Sequence, residues 1–148
     1  MRRFASVLAI SLAIGCATLP VLAQSEAAVN QRADTLFGDH ETLREAFNLV
    51  QQAVSDEDAE ALAAMVAYPF ETTLQGEDYV IQGQDDFVTF YPDLVTDNVA
   101  DAVLSQDYSN LFLNQDGAMF GDGEMWITAA CLDDACSSFR WLISSINN

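Results

Sequence analysis

The stretch LFLNQDGAMFGDGEMW, Leu111 to Trp126, sets three glycines, three acids and three aromatics between runs that otherwise read as β-strand. Leu111 to Asn114 reads as one strand, Asp116-Gly117 as a two-residue hairpin signal, and Glu124 to Ala129 as a further strand with alternating faces. The triplet Gly121-Asp122-Gly123 fits either a second turn or a bulge. Because Ala118 to Phe120 alone would be a very short strand, the expectation is one long strand bent at Gly121 to Gly123, where missing side chains permit sharp curvature. The triplet lacks the lysine and helix start of a phosphate loop, and Asp122 with Glu124 offers too few spaced oxygens for a cation. The stretch therefore reads as structural.

Downstream, CLDDAC turns the chain into a last strand, SFRWLISSI, in which Phe139, Trp141 and Ile143 share one face. In an oxidising compartment the spacing of Cys131 and Cys136 suits a disulfide closing a short loop. A zinc site would need more ligands, and the single histidine, His40, lies far away in sequence, so no metal is expected.

Upstream, residues 24–38 are polar and alanine-rich and read as a linker or a frayed helix. From Asp39, placed to cap a helix, Leu43, Phe47, Val50 and Val54 recur at helical spacing. Ser55 followed by Asp58 resembles a capping box for a second helix with the stripe Ala59, Leu62, Ala63 and Val66, ended by Pro69. FETTL and YVI flank QGED as a β-hairpin. Gln84, Asp85 and Asp86 begin a third helix with Phe87, Phe90, Leu94 and Val95 on one face; Pro92 should kink or split it. Thr96 is placed to cap a fourth helix carrying Val99, Val103 and Leu104.

The chain has 148 residues, 23 acids, five bases and a net charge of −18; lysine is absent. Such a surface repels nucleic acid and anionic headgroups, so neither is expected as a partner. It equally suits a salty habitat, where carboxylates keep a protein hydrated. The opening MRRFASVLAISLAIGCATLPVLAQ has the order of a secretory signal peptide over residues 1–23, cut after Ala23. Rival readings are lipidation at Cys16 after LAIG, and an uncleaved anchor. All three carry the domain across the inner membrane and make the protein periplasmic or secreted, with no membrane contact beyond a lipid anchor at Cys16.

Helices, a hairpin, further helices and a run of antiparallel strands argue one α+β domain over residues 39–148, with a curved antiparallel sheet wrapped over N-terminal and inserted helices. MVAYP (Met65 to Pro69), FVTFYPDLVTDNVADAV, GAMFGDGEMW and the terminal ISSIN resemble small secreted bacterial proteins of the nuclear transport factor 2-like superfamily. The resemblance runs from about Glu41 to Asn148 and implies a cone of sheet over helices. Pro92 departs from it by interrupting a helix that the family usually runs through.

Within that superfamily, isomerases and dehydratases use buried Asp, Tyr or His, but no motif in this sequence maps onto those residues, and no catalytic residue or cofactor is assigned. Candidate ligand-binding residues are Glu124 and Trp126 on one strand face, Arg140 on the last strand and Tyr68 at an element end. If their strands are adjacent, Glu124 and Arg140 could pair, lining a pocket or merely bridging two strands. Three functions stay open: a non-enzymatic domain binding a small apolar ligand or a protein partner, with a homodimer allowed; a cone-fold lyase or isomerase using a carboxylate and a tyrosine; and an inhibitor or immunity-type protein with an acidic binding surface.

Overall fold

The structure, a computed structural model, describes residues 25–148. The signal cleavage after Ala23 and the lipidation at Cys16 lie outside the described residues. The element order is α1 (Glu26–Phe37), α2 (His40–Ser55), α3 (Ala59–Ala63), β1 (Phe70–Leu74), β2 (Glu77–Ile81), α4 (Gln84–Leu94), α5 (Asp97–Ser105), a 3-10 turn (Tyr108–Asn110), β3 (Phe112–Asn114), β4 (Gly117–Phe120), β5 (Met125–Cys131) and β6 (Phe139–Ile146). This is an α+β fold in which helices precede an antiparallel four-stranded sheet ordered β3-β4-β5-β6, with β1-β2 as a separate hairpin.

The segment expected to be a linker or frayed helix is an ordered helix. Ser25 caps α1 by accepting from the Ala28 N–H, and Gly38 ends it in the left-handed region. Its apolar face is narrow, Val29 and Ala33, so periodicity barely shows it. Long-range bonds fix the helix instead: Arg32 Nε donates to the Leu113 carbonyl at 2.8 Å, and the Tyr108 hydroxyl to Asn30 at 3.0 Å.

Asp39 caps α2 through the N–H groups of Glu41 and Thr42, and the stripe Leu43, Phe47, Val50 and Val54 is buried as its spacing requires. Phe47 lies parallel to Phe120 of β4 at 5.2 Å between ring centroids, and edge-on to Tyr108 at 5.3 Å, locking helix to sheet. The capping box does not form: Ser55 is the last residue of α2, and Asp58 itself is the cap of α3, accepting from Ala61 N–H. Helix α3 stops after Ala63, well before Pro69, because the sheet claims the following backbone. Ile143 N–H donates to the Met65 carbonyl, Ala67 N–H donates to the Ile143 carbonyl at 2.9 Å, and Val66 forms a parallel bridge with Ile143.

The expected hairpin is present, with Gln75-Gly76 at its turn and Phe70 opposite Ile81. It packs on α4 through Phe70 against Phe87 and Tyr79 against Phe90. Pro92 does not split α4: it sits on the exposed side of the last turn, two residues before the helix ends, so little of the bonding ladder is lost. Thr96 stands at the N-cap of α5, yet its hydroxyl bonds Asn148 Oδ1 and makes no cap.

The long bent strand is corrected to two strands. β4 and β5 pair antiparallel, with Ala118 opposite Ile127 and Phe120 opposite Met125, and Gly121 to Glu124 form the turn between them. Four residues suffice for β4 because β3 and β5 pair with it on both sides. The glycines answer to contacts. At Gly117 (φ +144°) a Cβ would be driven into the Ile127 carbonyl, and at Gly121 (φ +62°) into the Glu124 carboxylate, which accepts from Asp122 N–H at 2.7 Å.

β5 and β6 pair from Cys131–Phe139 to Met125–Ile146, with a bulge between Trp126 and Ile127 that leaves Ser144 as the extra residue. Cys131 and Cys136 form the expected disulfide within the connecting loop. Asp133 braces the same loop, its carboxylate accepting from the N–H groups of Ala135, Ser137 and Ser138 and from both serine hydroxyls.

Gly117→Ala is expected to cost about 1–3 kcal/mol or more, since the β4–β5 backbones must separate. Gly76→Ala, with open space around it, should cost only the backbone strain of its positive φ, about 1 kcal/mol. Urea unfolding of both variants checks the contrast.

Candidate functional site

The four candidate ligand residues do not converge on one site: Glu124 and Trp126 share a surface hollow of about 530 Å³ with Met119 and Asn147, and Arg140 and Tyr68 lie outside it. Glu124 sits in the β4–β5 turn beside Asn147, whose N–H donates to the Glu124 carbonyl. Arg140 lies opposite Ala130 near the other end of β5, roughly 20 Å away at about 3.3 Å per residue. The expected Glu124–Arg140 pair is therefore ruled out by register. Trp126 lies on the sheet face turned from the helices, between Met119 and Ser145 and edge-on to Phe112 at 6.2 Å. Tyr68 is half-buried, and its hydroxyl donates to the Ala63 carbonyl at 2.9 Å. Burial pushes its phenol up to about 12, and burial likewise raises those of Tyr91 and Tyr108. The Tyr68 and Tyr108 hydroxyls thus serve as structural donors. Asp34, Asp107 and Asp133 are held below the usual carboxylate range, chiefly by hydrogen bonds to His40, Ser109 and Ser137 in turns and caps.

Side chains fill the space between helices and sheet: Phe70, Phe87, Phe120, Leu43, Leu62, Met125 and Ile127 are fully buried there. A surface hollow of about 840 Å³ lies between the β1–β2 hairpin and Ile146 to Asn148. Its walls include Glu71, Thr73 and Asp78, and no cation or aromatic cluster anchors a ligand in it. Thr72, on the hairpin's inner face, buries Oγ1 without a hydrogen-bond partner among the described residues.

A smaller groove, about 260 Å³, lies between α2 and β6. One wall is α2, with Thr42, Glu45, Ala46 and Leu49; the end is Ala64 and Met65; the other wall is β6 from Phe139 to Leu142. Leu49 is 51% exposed, a large apolar side chain set off the buried stripe of its helix. Trp141 anchors the floor, packed edge-on against Phe37 at 4.8 Å, with Nε1 directed at Thr42 Oγ1 at 3.4 Å. Arg140 stands exposed at the rim. The other two arginines of the described residues are engaged: Arg32 with the Leu113 carbonyl, and Arg44 with Glu26 at 2.9 Å and over the Tyr108 ring. Among the described residues Arg140 has no ion pair.

The edge of β6 also faces this groove. Ile143 directs both backbone groups outward to Met65 and Ala67. In an antiparallel pair outward-facing residues alternate, so Trp141 and Phe139 direct their N–H and C=O the same way, where no described segment bonds them. The sequence reading found Arg140 but missed Leu49, Met65 and the open edge. An apolar residue off the helical stripe was the available signal for Leu49; the edge depends on strand order, which periodicity does not contain.

No group of histidine, cysteine or acidic side chains among the described residues could hold a metal ion, and no described helix is long and apolar enough to cross a membrane.

Thr72→Val should leave the fold intact and raise stability by about 1 kcal/mol, because it removes a buried unpaired hydroxyl at constant shape; thermal unfolding checks this. Tyr68 contributes stability that is complete below its unfolded value near 10 and is lost as pH rises through about 12. Tyr68→Phe should therefore flatten the fall in melting temperature between those pH values without abolishing it, since Tyr91 and Tyr108 remain. Compared with family models, curated proteins and solved structures, this chain matches none.

Proposed function

We propose that this chain is an extracytoplasmic, non-enzymatic domain that binds a protein partner through the groove between α2 and β6. The observation that carries the reading is a surface groove with Ala46, Leu49 and Met65 in its lining, beside a strand edge whose outward groups no described segment bonds. At about 260 Å³ the groove falls below the roughly 300–1,000 Å³ of sites that engulf a small ligand. A protein surface needs no such enclosure, which favours a partner over a small apolar ligand. For a lyase or isomerase, an acid displaced upward inside a pocket would be the required sign; the displaced carboxyls lie in turns and caps and move downward.

The cone architecture of the nuclear transport factor 2-like superfamily is part of this proposal. Its support is the element order, with the hairpin and two inserted helices placed before four antiparallel strands, and the parallel bridge from Val66 to Ile143 that links the hairpin segment to the sheet. Secretion is supported by the signal-like opening and by the Cys131–Cys136 disulfide. With a net charge of −18, the surface favours a partner of opposite overall sign and fast association at low salt.

Native mass spectrometry of the protein recovered from the cells that make it tests this reading. The expected spectrum shows a chain two hydrogens lighter than its reduced mass, together with a complex heavier by a second polypeptide. Leu49→Glu should remove that complex without lowering the melting temperature. A stoichiometric small-molecule adduct in place of a polypeptide would overturn the reading.

A further inference from the structure

Resting on the partner-binding reading, we infer that the groove takes one extended segment of the partner as an added strand on β6, with a carboxylate side chain set beside Arg140.

The bonding row is laid out by Ile143. Its two bonds to Met65 and Ala67 show that this edge accepts an extended chain, and the same phase continues to Trp141 and Phe139, whose outward groups no described segment uses. An added strand at this position meets two environments in alternation. Its residues on the helix side meet Ala46, Leu49 and Met65, and the Glu45 carboxylate on the same wall disfavours an acid at those positions. Those pointing to the other face come beside Arg140, the unpaired guanidinium. The matching sequence is therefore apolar–acid–apolar in extended form, with backbone bonds supplying affinity and the alternate side chains specificity.

Charge selects the occupant. Two copies of this chain joined edge to edge in antiparallel register about Arg140 would set one Arg140 against the other, and like charges directly opposite destabilise a strand pair. The acidic surfaces of two copies add long-range repulsion. A segment bearing a carboxylate, carried on a partner of net positive charge, satisfies both the local cation and the surrounding field.

The test is selection from a displayed library of random nine-residue peptides against the full chain. Enriched peptides should share an acid between apolar residues at alternate positions, and Arg140→Gln should weaken the best of them about tenfold. Arg140→Glu should recover peptides with a base in place of the acid. N-methylating alternate residues of the best peptide should abolish binding in one phase and spare it in the other, since only one set of N–H groups faces β6. Amide signals of Phe139 and Trp141 should gain protection from hydrogen exchange on binding.

No enrichment, a consensus unchanged in Arg140→Glu, equal loss from both N-methylation phases, or displacement of the peptide by octanoate would each overturn strand addition. The partner-binding reading is judged separately: a polypeptide complex lost in Leu49→Glu upholds it even where strand addition fails, and absence of that complex sinks it whatever peptides are selected.

Discussion

Two hydrogen bonds made by Ile143, one to the Met65 carbonyl and one from the Ala67 N–H, join the halves of this molecule. They end α3 after a single turn, carry the chain from the helices into the β1–β2 hairpin, and fix which backbone groups of β6 point away from β5. The side-chain faces follow from the same phase. Trp141 and Ile143 face the core, Phe139 packs partly against it, and Arg140 stays in solvent. Shifting β6 by one residue would exchange these faces, burying a guanidinium and exposing an indole. The placing of Arg140 at the rim of the groove beside α2 is thus a consequence of strand phase.

The loop between β5 and β6 holds that phase at its far end. The disulfide ties Cys131 to Cys136, and the Asp133 carboxylate gathers the N–H groups of Ala135, Ser137 and Ser138. Phe139 is the first residue of β6 and the register partner of Cys131, so this bracing sets where the open edge begins. A chain of this size makes a core of modest depth, and a short crosslinked loop limits fraying where the sheet has only one neighbour strand.

Local chemistry was legible in the sequence and long-range chemistry was not. Asp39 caps α2, Phe47 faces the core, Gly76 turns the first hairpin, and the two cysteines pair, all from spacing alone. Residues 24–38 misled because α1 buries only Val29 and Ala33 and is held by Arg32 and Asn30 reaching other elements. Val66 has helical spacing, yet the edge of β6 captures its backbone. Gly121 to Gly123 fits a bend and a turn equally well, and the pairing of Ala118 with Ile127 decides between them. Arg140 was legible as a candidate but not its setting, since the approach of α2 to the β6 edge is tertiary.

An exposed strand edge is a hazard to the chain that carries it, because any extended segment can add to it. Here three features narrow the choice: helix α2 walls one side, Met65 closes one end, and Arg140 stands at the rim. The acidic surface discourages association between copies at a distance, an effect that salt screens beyond about 8 Å at physiological ionic strength. Within that range Arg140 has no ion pair among the described residues, and Glu45 on the opposite wall of the groove is the nearest acid in its lining. Long-range repulsion and the rim guanidinium thus bear on different approaches, the first on other acidic chains and the second on an extended segment that reaches the edge.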